Sequence, residues 1–210
     1  MAMTDGDLVA AFPHQLADDV RVVLAVMPEA RLAPASPFSV YVGDEAVALP
    51  YRIYQDELPV DVVCSLTAVQ QAILHCLYSR HCDGLVRHRH LEHIATSDEP
   101  WVVPFVVQLA GEYVVEILES IRHHLSDLTS KRSTQRLAYG DFIARNPGFF
   151  ARTEHRVVSY WSCYHRGKFP DFGTYPGGHL LEMLRAAAID RTGRPWPRHT
   201  PAGPTARTGP

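Results

Sequence analysis

Trp101-Val102-Val103-Pro104-Phe105-Val106-Val107-Gln108-Leu109-Ala110 is the stretch on which the fold of this chain turns. It is apolar nearly all round, so it belongs at the centre of the molecule whichever backbone it adopts. Four valines favour a buried strand. Pro104 argues against a central strand, because proline cannot donate to a ladder, and it fits early in a helix. Ser97-Asp98-Glu99-Pro100 just upstream reads as a helix start, with an acidic cap and proline in the first turn. The balance predicts a helix over 101–110 and, with it, a mainly α protein.

The flanks extend that reading. Ser65 or Thr67 caps a helix whose Leu66, Val69, Ile73, Cys76 and Leu77 share a face, and Thr67-Ala68-Val69-Gln70 fits a capping box. Asp83-Gly84 is expected to stop that helix with a left-handed turn. A second helix, about 85–95, directs Val86, His90, Leu91 and Ile94 inward. After Gly111, Val114, Ile117, Leu118, Ile121 and Leu125 stripe another. Further helices are expected at about 134–145, ended by Asn146-Pro147-Gly148, at about 150–166, and from 179 to 189. Upstream, Phe38-Ser39-Val40-Tyr41-Val42 and Ala46-Val47-Ala48-Leu49 flank Gly43-Asp44-Glu45 as a small hairpin, which 51–54 is expected to extend. The predicted architecture is a single helical domain of about six helices, 63–189. An acidic, proline-rich arm, 1–62, precedes it, and a disordered tail, 190–210, follows.

Composition bounds the function classes. The 210 residues are 46% hydrophobic and 20% charged, with a formal net charge of −3, which is a globular balance. No apolar run is long enough to span a membrane. The acidic start Met1-Ala2-Met3-Thr4-Asp5-Gly6-Asp7 lacks a secretory pattern, and the four cysteines form no CxxC pair. A soluble, cytoplasmic protein without cofactor is the expectation. Charge is uneven: residues 1–61 hold ten acids against three arginines, and 120–168 hold nine bases against three acids. Such a dipole suits an anionic partner or docking of the acidic arm on the basic body.

Residues 83–125 resemble one unit of a HEAT-type helical repeat. The features that carry the likeness are Asp83-Gly84-Leu85-Val86-Arg87 opening one helix and Pro100 and Pro104 opening its partner. The resemblance implies helices stacked through their apolar faces, with Asp and Arg bridging neighbouring turns. It covers about a fifth of the chain, and no repeat period is visible elsewhere.

Several constellations bear on chemistry. His75, His81, His88, His90 and His93 lie beside Cys76 and Cys82, and His90 with His93 has metal-ligand spacing on a helix. Without HExxH or CxxC spacing they read as one core histidine and several solvated ones, so no metal is expected. His81, Asp83, Glu112 and Glu116 are the candidate catalytic set for a small hydrolase or transferase, Glu116 as a partly buried acid or base. The plainer reading has Asp83 capping a helix with Arg87, and Glu119 paired with His123. Cys163 has His165 two residues away, pointing elsewhere on a helix, so no nucleophile–base pair results. GxSxG, GxGxxG and P-loop signatures are absent. A helix-turn-helix over 66–94 fits poorly, since Asp83 and Glu92 repel phosphates.

The strongest binding signal mixes bases with rings: Arg145, Arg152, Arg156, Tyr160, Trp161, Tyr164, Arg166 and Lys168. Arginine neutralises phosphate while exposed rings stack on bases, the chemistry of single-strand binding. Against this, Tyr160, Trp161 and Tyr164 have the spacing of a buried helix face. The sequence therefore points to a non-enzymatic scaffold or adaptor that binds another macromolecule through this half, with a protein as the expected partner. A nucleic-acid-binding regulator using the same surface is the alternative, and the hydrolase or transferase comes third.

Overall fold

A computed structural model of the chain describes residues 8–130 and 132–201. The expected tail beyond 201 lies outside the described residues. Among those residues are nine α-helices and one two-stranded antiparallel sheet. No helix among them is long and apolar enough to cross a membrane. The chain divides into two compact units, Met1–Val106 and Val107–Pro210.

In the first unit, α1 (Ala17–Val26) follows two short 3-10 turns and buries Val20 and Val23. Strands β1 (Phe38–Val42) and β2 (Glu45–Leu49) pair with Val40 opposite Val47. Both valines are buried while Tyr41 faces outward, the alternation of a half-covered hairpin. Gly43 supplies the positive φ of 59° that the tight turn needs. After β2 come α2 (Val60–Ser65), α3 (Ala68–Tyr78) and α4 (Gly84–Ile94). Thr67 forms the expected capping box with Gln70. Leu8, Phe12, Leu49, Ile53, Ile73, Leu74, Leu77 and Leu91 make the core. Phe12 stacks on Phe105 at 5.2 Å and meets Trp101 edge-on. Leu8, Phe12, Leu49 and Ile53, all before residue 63, thus form part of this core.

Three details differ from expectation. Gly84 is not left-handed; Asp83 starts α4 instead, accepting from Leu85 N–H at 2.8 Å, because a carboxylate there satisfies an orphan amide. Residues 51–54 do not prolong β2, whose pairing ends at Leu49, just before Pro50, which has no N–H to donate. Ile53 bridges His81 in parallel instead, and buried Arg80 clamps the segment through the Pro50 and Tyr51 carbonyls. The stretch that opened the sequence reading is helical, as α5 (Val103–Leu109), with Pro104 in its first turn. The boundary between the two units falls within α5.

The second unit holds α6 (Val115–His124), α7 (Thr134–Arg145), α8 (Pro147–Tyr160) and α9 (Pro176–Thr192). Asn146-Pro147-Gly148 ends α7 as expected, but Pro147 at once opens α8, since proline is favoured in a first turn. A π-helical turn, Trp161–His165, follows α8. α9 outlasts its expected end and stops at Gly193, whose φ is 66°. Gly140 lets α7 and α9 touch: a Cβ there would lie 2.5 Å from the Ala187 carbonyl oxygen. Glu154 of α8 and Arg185 of α9 form a buried ion pair, and Arg185 also reaches Glu182 at 2.6 Å. Within the expected tail, Arg198 bonds Glu182 at 2.8 Å.

Candidate functional sites

The second unit carries an exposed ring cluster. Tyr113 precedes α6, Tyr160 ends α8 and Tyr164 lies in the π-turn. Their ring centroids are 6.0, 6.4 and 6.2 Å apart, with tilts of 34° to 58°. Tyr164 is 70% exposed and Tyr113 52%. The π-turn fixes this arrangement because it holds an additional residue, so Tyr164 stands out while Trp161 turns inward. His165 Nε2 donates to the Tyr113 carbonyl oxygen at 2.7 Å, tying the turn to the loop.

The residues expected to bind sort unequally. Arg152, Arg156, Tyr160 and Tyr164 follow one another at four-residue spacing up one ridge of α8 and its extension. Arg156 lies against Gly111 and donates to Gln108 Oε1 at 2.8 Å. Arg166 sits over the Trp161 ring at 5.2 Å and Lys168 over Phe169 at 5.2 Å. Among the described residues Arg152, Arg156, Arg166 and Lys168 have no carboxylate partner, whereas Arg145 pairs with Asp141 at 2.9 Å. Trp161 is a core residue: it is buried, and its Nε1–H donates to the Phe169 carbonyl at 2.7 Å. Tyr113, outside the aromatic-rich window, takes its place in the cluster. Its only sequence signal was a large ring after a Gly-Glu break.

The first unit gathers the histidines. His75 of α3 and His90 of α4 meet Nδ1 to Nδ1 at 2.7 Å, and His90 Nε2 meets Glu57 Oε1 at 2.8 Å. Arg89 holds the other oxygen of Glu57. His93 stacks on His75 at 4.1 Å, nearly parallel, and Tyr78 donates to the Asp56 carbonyl at 2.6 Å. Burial, reinforced by the neighbouring His93 and His90, drives His75 down to about 3. Burial also lowers His90, although Glu57 pulls the other way. Burial raises Glu57, but its bonds to Arg89 and His90 outweigh that and hold it below the ordinary range. A 2.7 Å N–N contact is a hydrogen bond with no room for an ion between. Among the described residues no group of three or more His, Cys, Asp or Glu side chains is arranged to hold a metal. Glu57 carried no signal in sequence, lying in a loop without periodicity.

The candidate catalytic set divides between the units. Asp83 acts as the α4 cap, its N–H donating to His81 Nδ1 at 3.0 Å, and Arg87 donates to the His81 and Cys82 carbonyls. Glu112 is the buried carboxylate of the other pair. Glu116, expected to be partly buried, is exposed in the first turn of α6, because the apolar stripe of that helix runs through Ile117, Leu118 and Ile121 instead. No family model, curated protein or solved structure matches the chain.

Proposed function

We propose that this chain is a non-enzymatic scaffold or adaptor that docks an acidic segment of a partner protein on Tyr113, Tyr160 and Tyr164 and their basic rim. One observation carries the reading. Arg152, Arg156, Arg166 and Lys168, like Arg122, Arg132 and Arg194 elsewhere in the unit, lack carboxylate partners among the described residues, while Arg136, Arg145, Arg185, Arg191 and Arg198 have them. The first four fall on the segment that carries Tyr160 and Tyr164. Tyrosine and arginine are also the side chains that dominate binding energy at protein interfaces. The HEAT-type likeness of 83–125 is part of the same proposal, since repeat helices commonly present binding faces. The four free cysteines favour a reducing compartment such as the cytoplasm.

A single-stranded nucleic acid is the second reading, supported by the same unneutralised cations. The mutual tilt of the rings disfavours it, because successive bases need separate, accessible ring faces. Fluorescence anisotropy with short Asp/Glu-rich peptides and with a single-stranded oligonucleotide, at about 50 and about 200 mM salt, separates the two. Peptide binding that weakens at least about tenfold in Tyr164→Ala supports the proposal. Tighter oligonucleotide binding with a steep salt slope moves the assignment to nucleic acid, and binding of neither overturns it.

A further inference from the structure

The histidine chain of the first unit has a property that follows from counting protons. Glu57, ionised, only accepts, so His90 must present N–H at Nε2 to make the 2.8 Å contact. A neutral His90 then has a bare Nδ1, and the 2.7 Å contact requires His75 to donate from Nδ1. One tautomer of each ring satisfies the whole chain, with the lone pair of His75 left at Nε2. An added proton enters there, or shifts so that His90 is the imidazolium and His75 its acceptor. In either case a single proton still lies between the two Nδ1 atoms. A second added proton puts hydrogen on both, and the contact cannot survive.

We infer that Glu57, His90 and His75 form a clasp that fastens the 54–58 segment to α3 and α4 while holding at most one extra proton, and that releases the segment when a second arrives. The surroundings set its bias. α4 brings Arg89, paired with Glu57, and His93, stacked on His75. α3 brings Tyr78, whose ring lies 4.7 Å from His90 and 6.4 Å from His81. The segment itself brings Glu57 and Asp56, the latter bonded by Arg31 at 2.8 Å. α1, packed on α3, places Asp19 on Gln70 at 2.9 Å, more than a turn from His75. Among the described residues Glu57 is the one carboxylate bonded to this pair, through His90, and it is shared with Arg89, so it cannot compensate two imidazoliums. Glu57 is itself held below its ordinary range, so it stays an acceptor over the range in which a free histidine takes up its proton. The segment is thus the part of the unit whose attachment depends on pH, and it leads directly into α2.

Hydrogen exchange of the intact chain tests this, read as protection factors of the Ile53 and Tyr54 amides, which bond the Arg80 carbonyl and Gln55 Oε1, corrected for intrinsic rates. Protection is expected to fall by about one decade per pH unit once the second proton binds, between about pH 6 and about pH 3. In His75→Gln, which has no second proton to take, the decline is expected to be clearly shallower, since only His90 and Glu57 remain to titrate. A flat wild-type profile, or an identical decline in His75→Gln, overturns the inference. If that variant does not fold, ¹⁵N spectra of the wild-type imidazoles decide. Loss of protection coinciding with protonation of both Nδ1 atoms upholds the clasp, and two full imidazolium signals with Ile53 and Tyr54 still protected refute it.

Discussion

Removing Arg185 should cost the protein much more than removing the charge of its partner. Arg185 and Glu154 are 3% and 0% exposed, so neither charge is hydrated. Arg185 has two carboxylates, Glu154 and Glu182. Glu154 has Arg185 on Oε1 and, among the described residues, no partner on Oε2. Arg185→Met leaves a buried carboxylate with nothing opposite, a loss of about 3–5 kcal/mol. Glu154→Gln keeps a carbonyl to accept from Arg185 Nη2, while Glu182 still compensates the guanidinium, so about 1–2 kcal/mol is expected. The double variant Arg185→Met/Glu154→Met replaces the pair with apolar groups and should recover most of the loss, since such swaps are often neutral or better. Urea unfolding followed by far-ultraviolet circular dichroism gives all three values, provided the denaturant slopes agree. Equal losses in the two single variants, or a double variant as unstable as Arg185→Met, would refute the reasoning. Because whole domains are stable by only about 5–15 kcal/mol, the Arg185 variant tests whether the unit folds at all.

Other expectations are smaller. With His75 held at about 3 against an ordinary 6.5, the unfolded chain takes up a proton that the folded chain refuses, so stability falls as pH drops below about 6.5. Between about pH 7.5 and about pH 5 this amounts to about 2 kcal/mol, visible as the part of the acid destabilisation that His75→Gln lacks. Gly140→Ala forces a Cβ to within 2.5 Å of the Ala187 carbonyl, which should cost about 1–3 kcal/mol and lower the melting temperature accordingly. Thr67→Ala removes the side-chain half of the α3 capping box, worth about 1 kcal/mol in the same unfolding assay.

Local signals were legible in the sequence wherever a single residue type has one use. Gly43 between two β-branched runs gave the hairpin, Thr67 with Gln70 gave the start of α3, and Asn146-Pro147 gave the end of α7. α1 and α2 were not legible. Ala17–Val26 carries Asp18 and Asp19 beside Val22 and Val26, both exposed, so its buried pair, Val20 and Val23, is too sparse to show a period. Val60–Ser65 buries no residue and shows no stripe. Of the histidines, the inward direction of His90 was readable from helical spacing. Its link to Glu57 was not, because 33 positions separate them and only the packing of the 54–58 segment brings them together. The sequence put Tyr160, Trp161 and Tyr164 together on one face, buried or exposed; the π-turn, whose altered period no alternation of side chains announces, separates buried Trp161 from exposed Tyr164.

That same turn makes the ring cluster a matter of residue count more than of residue identity. Ser162 and Cys163 are exposed within it, so exchanging either for another residue leaves the spacing of the rings intact. Deleting one of them would let the helix wind on in ordinary register, turning everything beyond by about 100°. Related chains that keep the surface should therefore vary freely at these two positions while never shortening the turn.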